Sequence, residues 1–208
     1  MAVTDQDQLT EVQLRLIEDS TFSSGLWSTT EVLGYFSRRQ SQFLAQTGIV
    51  AAIARLDWIP GQPDHDLPED WLATRLARWH DTLSGTATPL PQSDVFELDH
   101  LDQQNTLTPG LPEAIRDSDL ETRRVTLAPP PANPGYVELL YIAVGELLDG
   151  SGIFFTVPDA FVPYLTYGVL ADMLSKDGRG QDLLRARYCA QRYDEGTALA
   201  QSLLDGLA

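Results

Sequence analysis

The spacing of apolar residues changes twice along the chain, and this change constrains the fold more than any other feature. Val32, Phe36 and Phe43 recur at the spacing of a helix. From Ile49 onward, apolar and polar residues alternate instead, as they do in half-buried strands. Helical spacing returns after Pro158. This order of helices, then strands, then further helices predicts an α+β fold.

Two helices are predicted in the first 48 residues. The first covers about Asp7 to Asp19. The second begins at a capping box, in which the Ser28 hydroxyl accepts a hydrogen bond from the amide of Glu31. Gly48 suits the left-handed residue that often follows the end of a helix. We therefore expect an N-terminal helix pair.

Residues 49–157 contain the predicted strands. The segment from Trp71 to His80 is compatible with a helix by propensity, but the turn residues on both sides of it favour a strand. The segment from Ile153 to Val157 is the densest run of β-forming residues in the chain. The predicted strands are 49–58, 71–80, 123–127, 136–145 and 153–157, and residues 89–98 are expected to be extended.

The C-terminal part predicts an antiparallel helix pair, from about Asp159 to Lys176 and from about Asp182 to Leu207. Small and apolar residues on the last helix recur at alternating spacings of three and four, which is typical of a packing seam. Gly168 and Ala171 on the preceding helix are its expected partners. The seam residues are Ala186, Cys189, Tyr193, Gly196, Ala200, Leu203 and Leu207.

A chain of 208 residues with 43% hydrophobic residues is long enough to bury a substantial core. We expect a single domain over residues 1–208. Within it, residues 1–48 are the N-terminal helices, residues 49–157 the β-rich middle module, and residues 158–208 the C-terminal helices.

The net charge of −16 excludes one class of partner. Proteins that bind nucleic acid without sequence specificity gain affinity from basic residues that displace counterions, and this chain has 30 acidic residues against 14 basic ones. One cysteine, Cys189, cannot form an intramolecular disulfide, which indicates a reducing compartment. Neither a secretory signal nor a membrane-spanning segment is expected.

We expect no metal, cofactor or catalytic site. The histidines at 65, 80 and 100 lack metal-ligand spacing, and the segment starting at Asp117 has Thr122 where a calcium loop needs glycine. Ser151 lies outside any nucleophile motif, and no phosphate-binding glycine loop is present. Asp64, Asp66, Glu69 and Asp70 could form an acid/base pair, but a turn at a strand entry explains these residues better. A small hydrolase that acts on the cell wall through Glu69 or Asp70 is the least favoured hypothesis for the function of the chain.

Three segments resemble the head-to-tail adaptor (connector) proteins of tailed bacteriophages, of the short-tailed phage type. They are residues 27–35 (WSTTEVLGY), the turn 66–70 (DLPED) between two strands, and the stretch from Val157 to Tyr193. The last includes VPDA, YGVLADML, DG, RARYC and QRY in that order. The resemblance is loose over most of the chain and best in its last fifty residues.

The resemblance implies a virion protein without enzymatic activity or cofactor, located in the neck or tail of the particle and made in the host cytoplasm. Adaptors of this kind form a homo-oligomeric ring, by resemblance a dodecamer, beneath the portal protein. Such a ring contacts tail or nozzle proteins, continues the DNA channel without binding DNA specifically, and needs no membrane. The alternative is another neck or tail-tube protein that binds tail components without touching the portal.

If the chain forms a ring, we expect an excess of its acidic residues on the wall of the central channel. Carboxylates on a channel wall repel the DNA backbone, so a passing duplex slides instead of binding. The arginines are then expected at subunit or partner interfaces, although ion pairs within helices also explain them. The candidate interface residues are Arg123, Arg124, Tyr167, Arg185, Arg192 and Tyr193.

Overall fold

Helices lie at both ends of the chain and β-strands lie in the middle, which confirms the predicted α+β fold. The computed structural model describes residues 3–16, 22, 25–93, 108–117 and 123–205. The chain divides into a helical unit, Met1–Val50 with Val144–Ala208, and a β unit, Ala51–Ala143. The prediction that residues 1–208 form a single domain stays a prediction.

The described residues of the helical unit form four α-helices, two from each of its chain segments. A short 3₁₀ turn, Asp159–Phe161, precedes the third helix, so the predicted helix from Asp159 is α-helical only from Val162. Residues 17–19 and Leu207, which belonged to the predicted first and last helices, lie outside the described residues. The helices are α1 (Asp5–Leu16), α2 (Thr29–Thr47), α3 (Val162–Ser175) and α4 (Leu183–Asp205).

Both ends of α2 are fixed by the residues that the sequence indicates. The Ser28 hydroxyl accepts a hydrogen bond from the Glu31 amide at 3.2 Å, which confirms the predicted N-terminal cap. Gly48 adopts the left-handed conformation at φ 60°, and its amide donates to the Leu44 carbonyl at 2.7 Å. A residue without a Cβ enters that conformation at little cost, so the helix ends there.

The helix α3 is the centre of the helical unit. Its residues are apolar on nearly every side, which is typical of a helix surrounded by others. The residues buried on it pack with Phe36, Phe43 and Leu44 of α2, and with the buried side of α4, in one core cluster. Those of α3 are Val162, Leu165, Thr166, Gly168, Val169, Leu170, Ala171, Met173 and Leu174.

The predicted packing seam on α4 is confirmed from Ala186 to Ala200. A β-carbon on Gly196 would overlap the ring of Tyr164, and one on Gly168 would lie 2.7 Å from a ring carbon of Tyr193. These two contacts show that α3 and α4 run antiparallel at close distance. The seam does not continue to Leu203, which is 52% exposed. Gly196 already faces Tyr164, the third residue of α3, so Leu203, seven residues further along α4, lies beyond the start of that helix.

The β unit contains two antiparallel sheets among its described residues. The predicted strands 49–58, 71–80, 123–127 and 136–145 are confirmed within one to two residues. In the extended segment predicted at 89–98, residues 89 and 90 belong to a strand, and residues 94–98 lie outside the described residues. One sheet has the order β1-β7-β3-β4 and the other β2-β6-β5. The strands are β1 (Ala51–Trp58), β2 (Asp64–Asp66), β3 (Trp71–Asp81), β4 (Ala87–Leu90), β5 (Ala114–Asp117), β6 (Arg124–Ala128) and β7 (Gly135–Ala143).

The inner sides of these strands bury one apolar cluster. In the larger sheet, Leu56 pairs with Val137, and Val137 pairs with Trp79, so three adjacent strands present apolar side chains to the same face. The smaller sheet adds Val125 and Leu127 to this cluster. Alternation along each strand leaves the opposite face of the larger sheet in solvent.

The predicted strand from Ile153 to Val157 is wrong. Only Phe154 makes an isolated β-bridge, to Thr4, and the segment otherwise has no strand partner. Its backbone groups are bonded by other means: the Ile153 carbonyl accepts from the Asp5 amide at 2.9 Å, and the Thr156 amide donates to the Gln40 side chain at 2.8 Å. Residues 144–157 consequently belong to the helical unit.

Candidate interaction surfaces

The six candidate interface residues lie in two places. Tyr167 is on α3, and Arg185, Arg192 and Tyr193 are on α4, all within the helical unit. Arg123 and Arg124 lie at the start of β6 in the β unit.

An arginine–tyrosine cluster joins three helices of the helical unit. The rings of Tyr167 and Tyr188 meet edge to face, with centroids 6.3 Å apart. The guanidinium of Arg15 on α1 lies 4.9 Å from the Tyr167 centroid, and that of Arg192 lies 5.8 Å from it. Tyr188 is 57% exposed, so the cluster is open to solvent on one side. Such arginine and tyrosine groupings are typical of binding hot spots.

Ion pairs within α1 and α4 hold the arginines of this cluster. Arg15 pairs with Glu11 at 2.8 Å, and Arg192 pairs with Glu195, whose charge raises the pKa of the guanidinium. Near the start of α4, the Arg185 amide donates to the Asp182 carboxylate at 3.1 Å. Arg185 itself is exposed. These ion pairs fix the positions of the Arg15 and Arg192 side chains. The outer side of the cluster remains exposed to solvent.

Tyr193 does not lie on the surface. It is 3% exposed, and its ring packs edge to face against Phe43 with centroids 6.3 Å apart. The guanidinium of Arg39 lies 4.9 Å from the Tyr193 centroid and binds both oxygens of Asp172. Its helical spacing placed Tyr193 on the inner seam of α4, and this position accounts for the burial. We therefore assign it to the core rather than to an interface.

Arg123 and Arg124 are bonded to the turn that precedes β3. Arg123, at φ 44°, donates to the Glu69 carbonyl at 2.9 Å. Arg124 lies 3.5 Å from the Asp66 carboxylate, and both side chains are exposed. A shallow depression of about 280 Å³ lies beside them, lined by residues 62–66 and Arg124. This surface has charges of both signs.

The outer face of the sheet formed by β1, β7 and β3, called the sheet face below, was not predicted as a site. Register brings Leu140 between Ile53 and Leu76, and Glu138 between Arg55 and Arg78. Ile53 is 70% exposed and Leu76 is 63% exposed. A depression of about 210 Å³ opens here, lined by Ile53, Leu76, Arg78, Glu138 and Leu140.

Aromatic stacking adds a second row to the sheet face. His80 stacks on Tyr136 with ring centroids 4.5 Å apart and planes 6° from parallel. The Arg55 guanidinium lies 4.0 Å from the Tyr136 centroid on the adjacent strand. The alternation of residues along β1 is the sequence signal that could have located this face. The residues that lie beside those of β1 could not be predicted, because they depend on the register of three separate strands.

A fourth surface is the anchored loop, residues 144–158 of the helical unit. The fully buried Asp5 accepts hydrogen bonds from the amides of Gly150 at 2.7 Å and Gly152 at 3.0 Å. The fully buried Gln40 donates to the Glu146 carbonyl at 2.9 Å and accepts from the Thr156 amide at 2.8 Å. The loop is thus fixed near both ends and in its middle.

The anchored loop nonetheless exposes large apolar side chains. Leu147 is 74% exposed and Phe154 is 58% exposed. Glu146 and Asp149, which flank Leu147, are also exposed. The loop therefore presents an apolar side chain between two carboxylates on a backbone that is held in place.

Two side chains weighed as reactive groups, Cys189 and Asp70, have structural surroundings: Cys189 is buried, and Asp70 accepts a hydrogen bond. Burial raises the pKa of the Cys189 thiol, which keeps it protonated and unreactive. Asp70 accepts a hydrogen bond from Tyr141 at 3.0 Å, and burial together with that bond raises the pKa of Tyr141 to about 12. Among residues 3–16, 22, 25–93, 108–117 and 123–205, no three histidine, cysteine or acidic side chains are grouped to hold a metal ion. His100 lies outside these ranges.

Where the structure describes the chain, none of its helices has both the length and the apolar character needed to cross a bilayer.

One comparison with known proteins, the match to a family model, agrees with the resemblance to phage adaptors found from the sequence. The family model described as SU10 adaptor protein matches residues 6–206. A chain in a solved structure described as the neck of an empty GTA particle computed with C6 symmetry is similar at 17% identity. The match covers 93% of each chain with a TM-score of 0.29. None of the curated proteins matches the chain.

Proposed function

The chain belongs to the SU10 adaptor protein family, and on that basis we propose that it forms a ring below the portal that joins the capsid to the tail. The ring is a homo-oligomer of twelve copies. It contacts the portal protein on one side and tail or nozzle proteins on the other, and its opening continues the DNA channel. The protein is made in the host cytoplasm and resides in the neck of the virion.

The family match over residues 6–206 is the observation that carries this proposal. It includes both the helical unit and the β unit, so no large part of the chain is left to a different function. The family is one of structural phage adaptors, which is not an enzyme class. The surfaces described above have the exposed apolar, aromatic and arginine side chains that protein partners contact.

The acidic charge supports passage of DNA without binding. Fifteen of the 30 acidic residues lie in residues 51–143 and the rest in the other unit, so neither unit is a basic, DNA-attracting body. A channel wall with excess carboxylates repels phosphates at short range, because salt screens the interaction beyond about 10 Å. We propose that carboxylates outnumber arginines on the channel wall, and that Arg123, Arg124, Tyr167, Arg185 and Arg192 face subunits or partners.

Purified chain mixed with the portal protein of the same particle tests the proposal. Negative-stain images and the mass of the mixture should show rings attached to the portal. The chain alone is not the decisive sample, because adaptors can stay monomeric until a portal is supplied. Absence of rings and of portal association would contradict the proposal.

The same samples distinguish the alternative, a neck or tail-tube protein that never touches the portal. Tail proteins replace the portal in a parallel mixture. Binding to tail proteins with no binding to the portal would favour the alternative and reject the ring below the portal.

A further inference from the structure

The sheet face has the properties of a docking site for a protein. An apolar depression is unusual on an exposed strand face, where alternation normally leaves polar residues. Here Ile53 and Leu76 are mostly exposed, and Leu140 forms the floor between them. Arg55 and Arg78 lie on the adjacent row of the same face, with Glu138 between them, and Arg55 also pairs with Asp57 at 2.8 Å. A partner that fits this site needs an apolar side chain and carboxylates spaced to reach the two arginines.

The chain itself contains a segment of that chemistry. Leu147 is 74% exposed and stands between the exposed carboxylates of Glu146 and Asp149. Another exposed leucine, Leu184, is 80% exposed but is followed by Arg185 and lies near Arg187. Its cationic surroundings match the arginines of the sheet face poorly. Charge complementarity therefore favours Leu147 over Leu184.

The backbone that presents Leu147 is already ordered. Gln40 binds the Glu146 carbonyl, and the Ser37 hydroxyl accepts from the Leu148 amide at 3.1 Å. Asp5 binds the amides of Gly150 and Gly152 on the other side. A segment held in this way loses little conformational freedom on docking, so less of the contact energy is spent on ordering it.

We infer that Leu147 of one copy packs into the sheet-face depression of the next copy, with Glu146 and Asp149 facing Arg55 and Arg78. The inference rests on the proposed ring and names one of its subunit contacts. The two surfaces differ from each other, so the contact is head to tail and repeats from copy to copy until the ring closes. The occupant of the sheet face is thus a second copy of this chain.

Disulfide cross-linking tests the contact directly. The chain receives Leu147→Cys and Ile53→Cys in a Cys189→Ala background and is oxidised with the portal present. A head-to-tail contact should give a ladder of covalent oligomers that extends beyond the dimer. Each single-cysteine control can link at most two copies, so it should give no ladder.

The outcomes separate this contact from the ring itself. Rings seen in the electron microscope without a covalent ladder would overturn the contact and leave the proposed function in place. If no rings form with unaltered chain and portal, the proposed function fails and this contact fails with it.

A charge swap provides the second test, with folding checked by circular dichroism. Arg55→Glu with Arg78→Glu should weaken association about tenfold, because like charges then face each other across the contact. Adding Glu146→Arg and Asp149→Arg to the same chain should restore it. Arg179→Glu, an exposed charge change elsewhere, should have no effect. Equal weakening by the control, or no restoration by the swap, would overturn the inference.

Discussion

The helical unit and the β unit hold themselves together in different ways. The helical unit brings together two chain segments separated by 93 residues, and buried side chains such as Asp5 and Gln40 bind its loop. The β unit is one continuous segment, and backbone ladders fix its register. Stability in the helical unit therefore depends on its interior side chains, whereas one face of the larger sheet of the β unit lies in solvent. We expect a partner that binds this exposed face to disturb the packing of the chain least.

Identical leucine-to-alanine substitutions in the two regions test this difference most strongly. Leu44→Ala, in the fully buried core of the helical unit, should lower the free energy of unfolding by about 2–5 kcal/mol. Leu76→Ala, on the sheet face, should change it by less than about 0.5 kcal/mol. Urea unfolding of the isolated chain measures both. Similar losses would show that the sheet face is part of the fold's stability.

Removing the Gln40 amide should give the next largest effect. Gln40→Met keeps the length of the side chain but leaves the Glu146 carbonyl and Thr156 amide without their partner. The expected loss is about 1–3 kcal/mol, since two partly buried hydrogen bonds of about 0.5–1.5 kcal/mol each are removed. Hydrogen exchange at Thr156 should accelerate. The exposed Gln46→Met is the matched control, and exchange as slow as in the unaltered chain would disprove the anchoring role.

Two glycine-to-alanine substitutions in helices should act in opposite directions. Gly196→Ala should destabilise by about 2 kcal/mol because its methyl group would overlap the Tyr164 ring. Gly34→Ala, where nothing lies within 4 Å, should stabilise by about 0.5–1 kcal/mol by restricting the unfolded chain. Thermal melting compares the two variants. A stable Gly196→Ala chain would mean that α3 and α4 pack less closely than described.

The smallest predicted effect concerns pH and the β unit. The Tyr141 pKa is raised to about 12, so its hydrogen bond to Asp70 contributes fully below pH 10, the ordinary value for tyrosine. As pH rises from 10 to about 12, the unfolded chain ionises first and this contribution is lost. Tyr141→Phe should cost about 1 kcal/mol at neutral pH and reduce the loss in that range. An unchanged pH profile in the variant would reject the assignment.

Local signals predicted the parts of the fold that local interactions determine. The cap at Ser28 and the stop at Gly48 depend on neighbouring residues, and both are as expected. Alternation located β1, and the turn residues on both sides of β3 located that strand. The short strands β2 and β5 were missed, because three or four residues are too few to show a period.

Distant interactions account for what the sequence could not show. Ile153 to Val157 consists of β-forming residues, but Asp5 and Gln40, more than 100 residues away, satisfy its backbone groups instead of a strand. The sheet-face depression requires the register that places Leu140 between Ile53 and Leu76. Neither pairing leaves a signal in one sequence.

A cryo-EM reconstruction of the particle neck tests the adaptor ring most directly. We predict twelve copies of this chain between portal and tail, each with Leu147 against the neighbouring copy's sheet face and with carboxylates in excess on the channel wall. A portal–tail junction that contains no copies of this chain would contradict it.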